Sequence, residues 1–557
     1  MPRNAEVPVR SSLSALLLAG SLAVAPGAQA DSFPVEIRVD AAKSLAPLHP
    51  MWRFFGADEP NYATMKDGRK LIAELGALRP GDVYFRAHNL LNTGDGTAAF
   101  KWGSTNVYTE DAQGRPVYDW RIVDNIFDTY LARGVRPYAQ IGFMPQALST
   151  QPEPYQHAWR PGFEYGLITG GWAHPPRDYE RWAELVYEWV KHCVDRYGRA
   201  EVEKWYWEVW NEADGPAYWH GTPEEFYKLH DYAVEAVRRA LPTARVGGPD
   251  SANGGNDFTR GFLEHIVGKG TPTDFLAFHA KGAPEFVDGH VRMGLGTHLS
   301  RIDRAMALIA TFPQLKNKPI VIGESDPEGC AACQGPQLGY RNGTMYSSYT
   351  AASFARKQLL ADRHGVTLDG VLTWAFEFED QPYFAGFRAL ASNGIDLPVL
   401  NVFRMFAKMS GHRVPAASNG EVPLEQILAN GVRARPDVGT VASRDGRRVS
   451  VLIWHYHDDD VAGPDAAISL KVAGLGRITT PATLTHYRID ERHSNSYAEW
   501  KRRGSPAAPD QKLYAELEKA GGLQLLSPAQ SVRIERGVVS ASFDLPRQGV
   551  SLIDLQW

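Results

Sequence analysis

The sequence predicts an α/β protein: a (β/α)8 TIM barrel carrying a C-terminal β-sandwich domain, to which the N-terminal strand adds. Three observations predict it. Between residues 51 and 410, short apolar, β-branched and aromatic runs alternate with long stretches of 3.6-residue periodicity, and eight such units can be read. Eight strands over roughly 360 residues is the size of a barrel of this kind with inserted loops. After residue 410 the helical period gives way to short strand-like runs separated by Gly, Pro and Asp. At 557 residues with 44% hydrophobic and 22% charged side chains, the chain is too long for one ordinary domain and too apolar to be disordered.

Residues 1–30 read as a secretory signal. Arg3 and Arg10 flank the first segment, Leu13 to Val24 is a short apolar run, and Ala28-Gln29-Ala30 has the small-x-small form of a cleavage site. The run falls short of the ~20 residues that cross a bilayer, so an anchor is the weaker reading, and no later segment is long enough. The protein is therefore expected to be exported, to the periplasm or the medium. Residues 31–50 contain one strand, Val35–Val39, expected to pair with the sandwich so that both termini share a domain.

The barrel follows over 51–410. Its strands are expected near Trp52–Gly56, Val83–His88, Arg136–Phe143, Trp205–Trp210, Arg245–Gly248, Phe275–His279, Ile320–Glu324 and Gly370–Phe376. The helix before the fourth strand carries Trp182, Leu185, Val186, Trp189, Val190, Cys193 and Val194 on one stripe. The helix after it opens Thr222-Pro223-Glu224-Glu225, with Thr as N-cap, Pro at the first helical position and Glu closing a capping box. The sandwich, over 411–557, is expected from the runs Val441–Ser443, Val449–His457, Ala467–Val472, Thr483–Ile489, Ser531–Arg533, Val539–Phe543 and Val550–Leu555.

Charge and composition remove several functions. Lys plus Arg total 59 against 64 Asp plus Glu, a net −5 without any basic block, so nucleic acid is not an expected partner. There is no Gly-rich phosphate loop, no H-E-x-x-H and no G-x-S-x-G in a strand-turn-helix setting, and no cofactor or metal is implied. Aromatics reach 11%, which suits a sugar-binding cleft and equally a core. Three cysteines are too few for a disulfide framework; Cys193 reads as buried, and Cys330-Ala331-Ala332-Cys333, once exported, as a short loop disulfide or two free thiols.

Active sites of parallel barrels are built from the C-terminal ends of strands. The fourth strand ends in Trp210-Asn211-Glu212 and the seventh in Glu324. One carboxylate in such a place reads as a salt-bridged loop residue; two at the same barrel mouth read as a working pair, because each is costly to desolvate. Glycoside cleavage needs such a pair, a neutral acid for the leaving oxygen and an anion that attacks or activates water. A gap of ~5–5.5 Å between carboxyl groups goes with retention of anomeric configuration, one of ~6.5–9.5 Å with inversion.

These residues resemble the large clan of retaining glycosidases built on (β/α)8 barrels (clan A), and within it glycoside hydrolase family 39, best known for β-xylosidases and α-L-iduronidases. The resemblance covers most of the chain: Phe85-Arg86-Ala87-His88, Gly142-Phe143-Met144-Pro145, Trp207-Glu208-Val209-Trp210-Asn211-Glu212, Val246-Gly247-Gly248-Pro249, Phe278-His279, Trp374-Ala375-Phe376, Phe378-Glu379-Asp380 and His493-Ser494-Asn495-Ser496-Tyr497. It implies Glu212 as acid/base and Glu324 as nucleophile, with Asn211 on the 2-hydroxyl of the sugar. It further implies His279 and Trp374 lining the same subsite, Glu379 and Asp380 holding ring hydroxyls, and His88 nearby. Two positions depart from the family: His279 is followed by Ala280-Lys281-Gly282 where a Tyr-Pro is usual, and a pair of glutamates in the last barrel loop appears as Glu379-Asp380. Lys281, Glu379 and Asp380 are thus expected to fill the space of a C5 hydroxymethyl and exclude hexoses. Asp58 and Glu59 add two acids at the end of the first strand, and Trp159, Tyr165, Trp172, His174, Arg177 and Tyr179 are expected to wall the cleft.

The expectation is a retaining exo-glycosidase acting on a small oligosaccharide, foremost a β-D-xylosidase on xylo-oligosaccharides. An α-L-arabinosidase, β-glucosidase or related exo-enzyme is the alternative, and a carbohydrate-binding protein without turnover is a third.

Overall fold

The computed structural model describes residues 32–98, 105–155, 170–374, 377–476 and 480–557. The expected signal segment and the expected wall residues Trp159 and Tyr165 lie outside them. Among the described residues no helix is long and apolar enough to cross a membrane.

Eight parallel strands close a barrel in chain order: Phe54–Ala57, Val83–Ala87, Val135–Ile141, Tyr206–Val209, Arg245–Ser251, Phe275–His279, Pro319–Glu324 and Thr367–Trp374, the last pairing with the first. The eighth begins three residues before its expected start, and Ala375 and Phe376 lie outside the described residues. Helices cover the barrel because their apolar stripes have only the sheet to bury against. In Tyr179–Tyr197 the stripe Trp182, Leu185, Val186, Trp189, Val190 and Cys193 is buried, as the period requires. Helix Pro223–Ala240 starts at Thr222 with both capping-box bonds made, 3.2 Å from Glu225 N–H to Thr222 Oγ1 and 2.8 Å from Thr222 N–H to Glu225 Oε2.

Part of the aromatic excess belongs to the barrel interior. Phe54, Tyr84, Tyr138, Tyr206 and Phe275 stand near the N-terminal ends of five strands and stack or meet edge to face at 4.9–6.2 Å. They close the end opposite the carboxylates, so the chemistry is confined to the other mouth.

The second unit is a two-sheet sandwich. Phe33–Asp40 runs parallel to Ala466–Ala473 and antiparallel to Ala416–Ser418, with Val539–Leu545 completing that sheet. The facing sheet runs His412–Val414, Asp437–Asp445, Arg448–Tyr456, Val550–Gln556, Ala482–Ile489 and Gln524–Leu525. Val35, Ile37 and Val39 alternate inward with Ile468, Leu470, Val472, Val451 and Ile553 to form its core. The two units are joined through buried Arg356 on barrel helix Thr344–His364, whose guanidinium donates to Asp437 at 2.9 Å and lies 4.8 Å from the Trp454 ring.

Two helices inside the sandwich region, Ser496–Arg502 and Gln511–Gly521, depart from its strand-like texture. They leave the sandwich and pack on the loop after the eighth barrel strand: Tyr497 and Trp500 meet Phe384, and Tyr514 donates to the carbonyl of Asn393. The family-like segment His493–Tyr497 is the start of this excursion, so its task is to brace a loop at the barrel mouth.

Candidate active site

The fourth, sixth and seventh strands deliver Glu212, His279 and Glu324 to one place. A carboxylate oxygen of each glutamate and a ring nitrogen of His279 all lie within 4.8 Å of one another. His279 is fully buried; its Nδ1 lies 2.7 Å from Glu212 Oε1 and its Nε2 2.7 Å from Asp250 Oδ2. Burial alone would push this imidazole down, but Asp250 and Glu324 outweigh it and raise it to about 10. It is therefore an imidazolium at neutral pH, donating from both nitrogens.

The two carboxylates sit in unlike surroundings. Burial would raise Glu324, yet His279 and Lys281 hold it well below the ordinary glutamate range. Lys281 Nζ is 2.6 Å from its Oε2, and Arg86 Nη1 and His88 Nε2 stand 3.5 and 3.3 Å from its Oε1. The Glu212 side chain keeps 19% of its surface exposed against 7% for Glu324, so of the two it is the one with the readier exchange with water.

Beneath them lies a buried polar network centred on Arg86, a charged residue in an otherwise apolar strand. It is fully buried, bonds Glu208, Asp250 and His88, and donates to Asn211 Oδ1 at 3.0 Å. Glu208, pushed up to about 8 chiefly by burial, also accepts from Tyr138 at 2.6 Å. Holding Oδ1 turns the Asn211 amide so that Nδ2, fully buried, has no protein partner among the described residues. A buried donor left open in a site is a place for a ligand oxygen.

Asp250 fixes Glu212 in two ways. Its carbonyl accepts the Glu212 N–H at 2.9 Å, and its carboxylate holds the imidazolium that meets the Glu212 side chain. Trp210, Glu212 and Asp250 all have positive φ, 69°, 46° and 50°, a conformation that costs non-glycine residues energy and that the network maintains. Two glycines make room for these groups: a Cβ on Gly56 would meet the Trp374 ring at 2.4 Å, and one on Gly323 would meet Asp250 Oδ1 at 2.0 Å.

Trp374 is buried, its ring 4.5 Å from that of His88 and 5.4 Å from the Arg86 guanidinium. His88 is lowered by burial and by Arg86, and its Nδ1 stands 3.5 Å from Asp58, which gives that first-strand acid a partner at the mouth. Trp172 lies on the same side, packed at 4.8 Å on Phe143.

Three residues expected at the sugar, Lys281, Glu379 and Asp380, are placed as follows. The Lys281 ammonium is bonded to Glu324 and, at 3.2 Å, to Asp326. Glu379 Oε1 accepts the backbone N–H groups of Asp67 and Gly68 at 2.6 and 3.0 Å, which caps helix Lys66–Leu78, since the first N–H groups of a helix have no partner within it. Asp380 is exposed, with a φ of 59°, at the turn of its loop.

Sequence reasoning passed over Arg86, Asp250 and Asp326. The criterion that singled out Glu324, a charge at the end of an apolar strand, applies equally to Arg86 and to Asp250, one residue beyond Val246–Pro249. Asp326 joins the seventh and eighth strand ends, accepting from Lys281, Arg388 (2.8 Å) and the N–H of Trp374 (2.9 Å). The loop after Glu324 contains a Cys330–Cys333 disulfide, with Cα atoms 5.4 Å apart. The same loop is tied by Arg341, which donates to the carbonyls of Cys330, Ala331 and Cys333 at 2.6–3.0 Å, and by Glu328, held at about 2 by Arg341 and Arg388 against the effect of burial.

The chain is 25% identical over 531 residues to a β-xylosidase of Geobacillus stearothermophilus, covering 91% of this chain and 92% of that protein. It is also 25% identical over 552 residues to the human α-L-iduronidase, covering 92% and 77%. Among solved structures, a family 39 enzyme from Xanthomonas axonopodis pv. citri superposes with a TM-score of 0.74 at 22% identity, covering 94% of this chain and 98% of that one. A β-xylosidase from Caulobacter crescentus CB15 gives 0.73 at 21%, covering 94% and 99%; these two share the fold. The family model of glycosyl hydrolases family 39 matches residues 35–525, and with a barrel mouth that joins Glu212 to Glu324 the chain belongs to that family.

Proposed function

We propose that the protein is an exported, retaining exo-glycosidase that releases β-D-xylose from xylo-oligosaccharides by double displacement. The observation that carries retention is that carboxylate oxygens of Glu212 and Glu324 lie within 4.8 Å of each other, which goes with the short gap of ~5–5.5 Å between the carboxyl groups of retaining enzymes and not with the ~6.5–9.5 Å of inverting ones. Glu324, held ionised by Lys281 and His279, attacks the anomeric carbon while Glu212 gives its proton to the leaving oxygen. Glu212, now a carboxylate, takes a proton from the water that opens the glycosyl ester, and both residues return to their starting states. Asn211 Nδ2 donates to the 2-hydroxyl, a contact that strengthens as the ring approaches an oxocarbenium ion. The Trp374 indole forms the floor beneath the sugar. The choice of xylose is supported by two β-xylosidase relatives at 25% identity, and export by the leader-like residues 1–30.

The test is a panel of 4-nitrophenyl glycosides, β-D-xylopyranoside, α-L-arabinoside, β-D-glucoside and α-L-iduronide among them, with the anomer of the first-formed product read by proton NMR. We expect the β-xyloside to be fastest, with the β-anomer of xylose released first. Release of the α-anomer refutes retention. An arabinoside cleaved more than about tenfold faster, roughly 1.4 kcal/mol in the barrier, refutes the sugar.

A further inference from the structure

Beside Glu212 a cleft of about 550 Å³ opens between the loops that follow the sixth and seventh strands. Its lining includes Glu212, Arg301, Gln337 and the Cys330–Cys333 disulfide, but not Glu324, Asn211, His88 or Trp374. A pocket that shares the acid/base with the sugar site and none of these other groups is on the side of the leaving group, because the acid/base is the residue that protonates the departing oxygen.

The charges along this cleft are engaged except one. The Lys281 ammonium is taken by Glu324 and Asp326, and Glu328 by Arg341 and Arg388. Arg301, half-buried on helix Leu295–Ala310, donates from Nη1 to the carbonyl of Lys281 at 3.2 Å. Nη1 is thereby occupied, and among the described residues its Nε and Nη2 have no acceptor and no carboxylate is paired with it. The edge left open, Nε with Nη2, is a fork of two parallel N–H donors, the geometry that matches the two oxygens of a carboxylate. Anchoring Nη1 also removes much of the freedom an arginine loses on binding.

We propose that this cleft selects a leaving group bearing a carboxylate, an acidic sugar or acidic aglycone, and that Arg301 is the residue that reads it. The proposal rests on the glycosidase reading above. The experiment takes whichever sugar the panel releases fastest and compares two of its aryl glycosides, 3-carboxyphenyl and 3-carbamoylphenyl, in the wild type, Arg301→Gln and Arg301→Lys. A charge-assisted hydrogen bond to a half-exposed group is worth about 1.4 kcal/mol, so the wild type should favour the carboxylate by about tenfold in kcat/KM. The ratio of the two rates within each variant cancels any loss of fold or of general activity. It should fall about tenfold in Arg301→Gln, recover in part in Arg301→Lys, and shrink at high salt in the wild type. A wild-type ratio that Arg301→Gln leaves unchanged overturns the proposal while the glycosidase reading stands. Failure to hydrolyse any glycoside of the panel overturns both.

Discussion

Replacing Lys281 by Met removes the ammonium next to Glu324 and keeps the stem of the side chain. The pair is 2.6 Å apart and Lys281 is only 7% exposed, so water screens it little. Two unit charges about 4 Å apart interact by about 4 kcal/mol at an effective dielectric of about 20, which sets a ceiling near three pH units. His279, His88 and Arg86 remain around Glu324, so a rise of about one to two pH units is the reasoned expectation. The sign follows from the direction of the shift. Glu324 lies below its ordinary value, so its anion stabilises the fold above that value and the benefit is lost as pH falls through the lower, folded-state one. Lys281→Met moves this loss to higher pH, and the acidic limb of kcat/KM should move with it. Breaking the pair should also cost about 3 kcal/mol, the low end for a buried ion pair, because Asp326 keeps Arg388 and the N–H of Trp374. The assay is kcat/KM against pH from about 3 to about 8 on an aryl glycoside, with Tm measured at each pH. A folded variant whose acidic limb does not move refutes Lys281 as a cation that keeps Glu324 ionised.

Glu324→Gln should lose nearly all turnover without rescue by azide, whereas Glu212→Ala, on a substrate with a good leaving group, should be rescued with formation of a β-glycosyl azide; the same response from both reverses the assignment. Asp250→Asn should bring the His279 imidazole from about 10 toward its ordinary value, read by NMR titration of its ring; a ring still titrating near 10 would remove Asp250 as its chief partner. Cys333→Ser should lower stability by well under the ~3 kcal/mol that cross-linking a 15-residue loop contributes. Arg341→Met should cost more, since it frees four carbonyls, those of Cys330, Ala331, Cys333 and Gly386; equal Tm values for the two variants would contradict this order. Thr222→Ala should destabilise by about 1 kcal/mol through loss of the capping box, measured by denaturant unfolding.

What the sequence determined by itself is whatever depends on local periodicity and on residue type at element ends. The eight strands, the capped helix at Thr222 and the sandwich with its N-terminal strand are of this kind, because side-chain period and cap chemistry act over a few residues. So is the pairing of Glu212 with Glu324, since a barrel sends every strand's C-terminal end to one mouth. The tertiary structure decided the partners. That Lys281 pairs with Glu324, that Glu379 caps a helix more than 300 residues away in the chain, and that Asp250 reaches His279 and through it Glu212 are facts of separation in space. No period encodes them. A charge taken out of water must find an opposite charge or a row of donors within a few ångströms, and which one it finds is set only when distant strands are packed together.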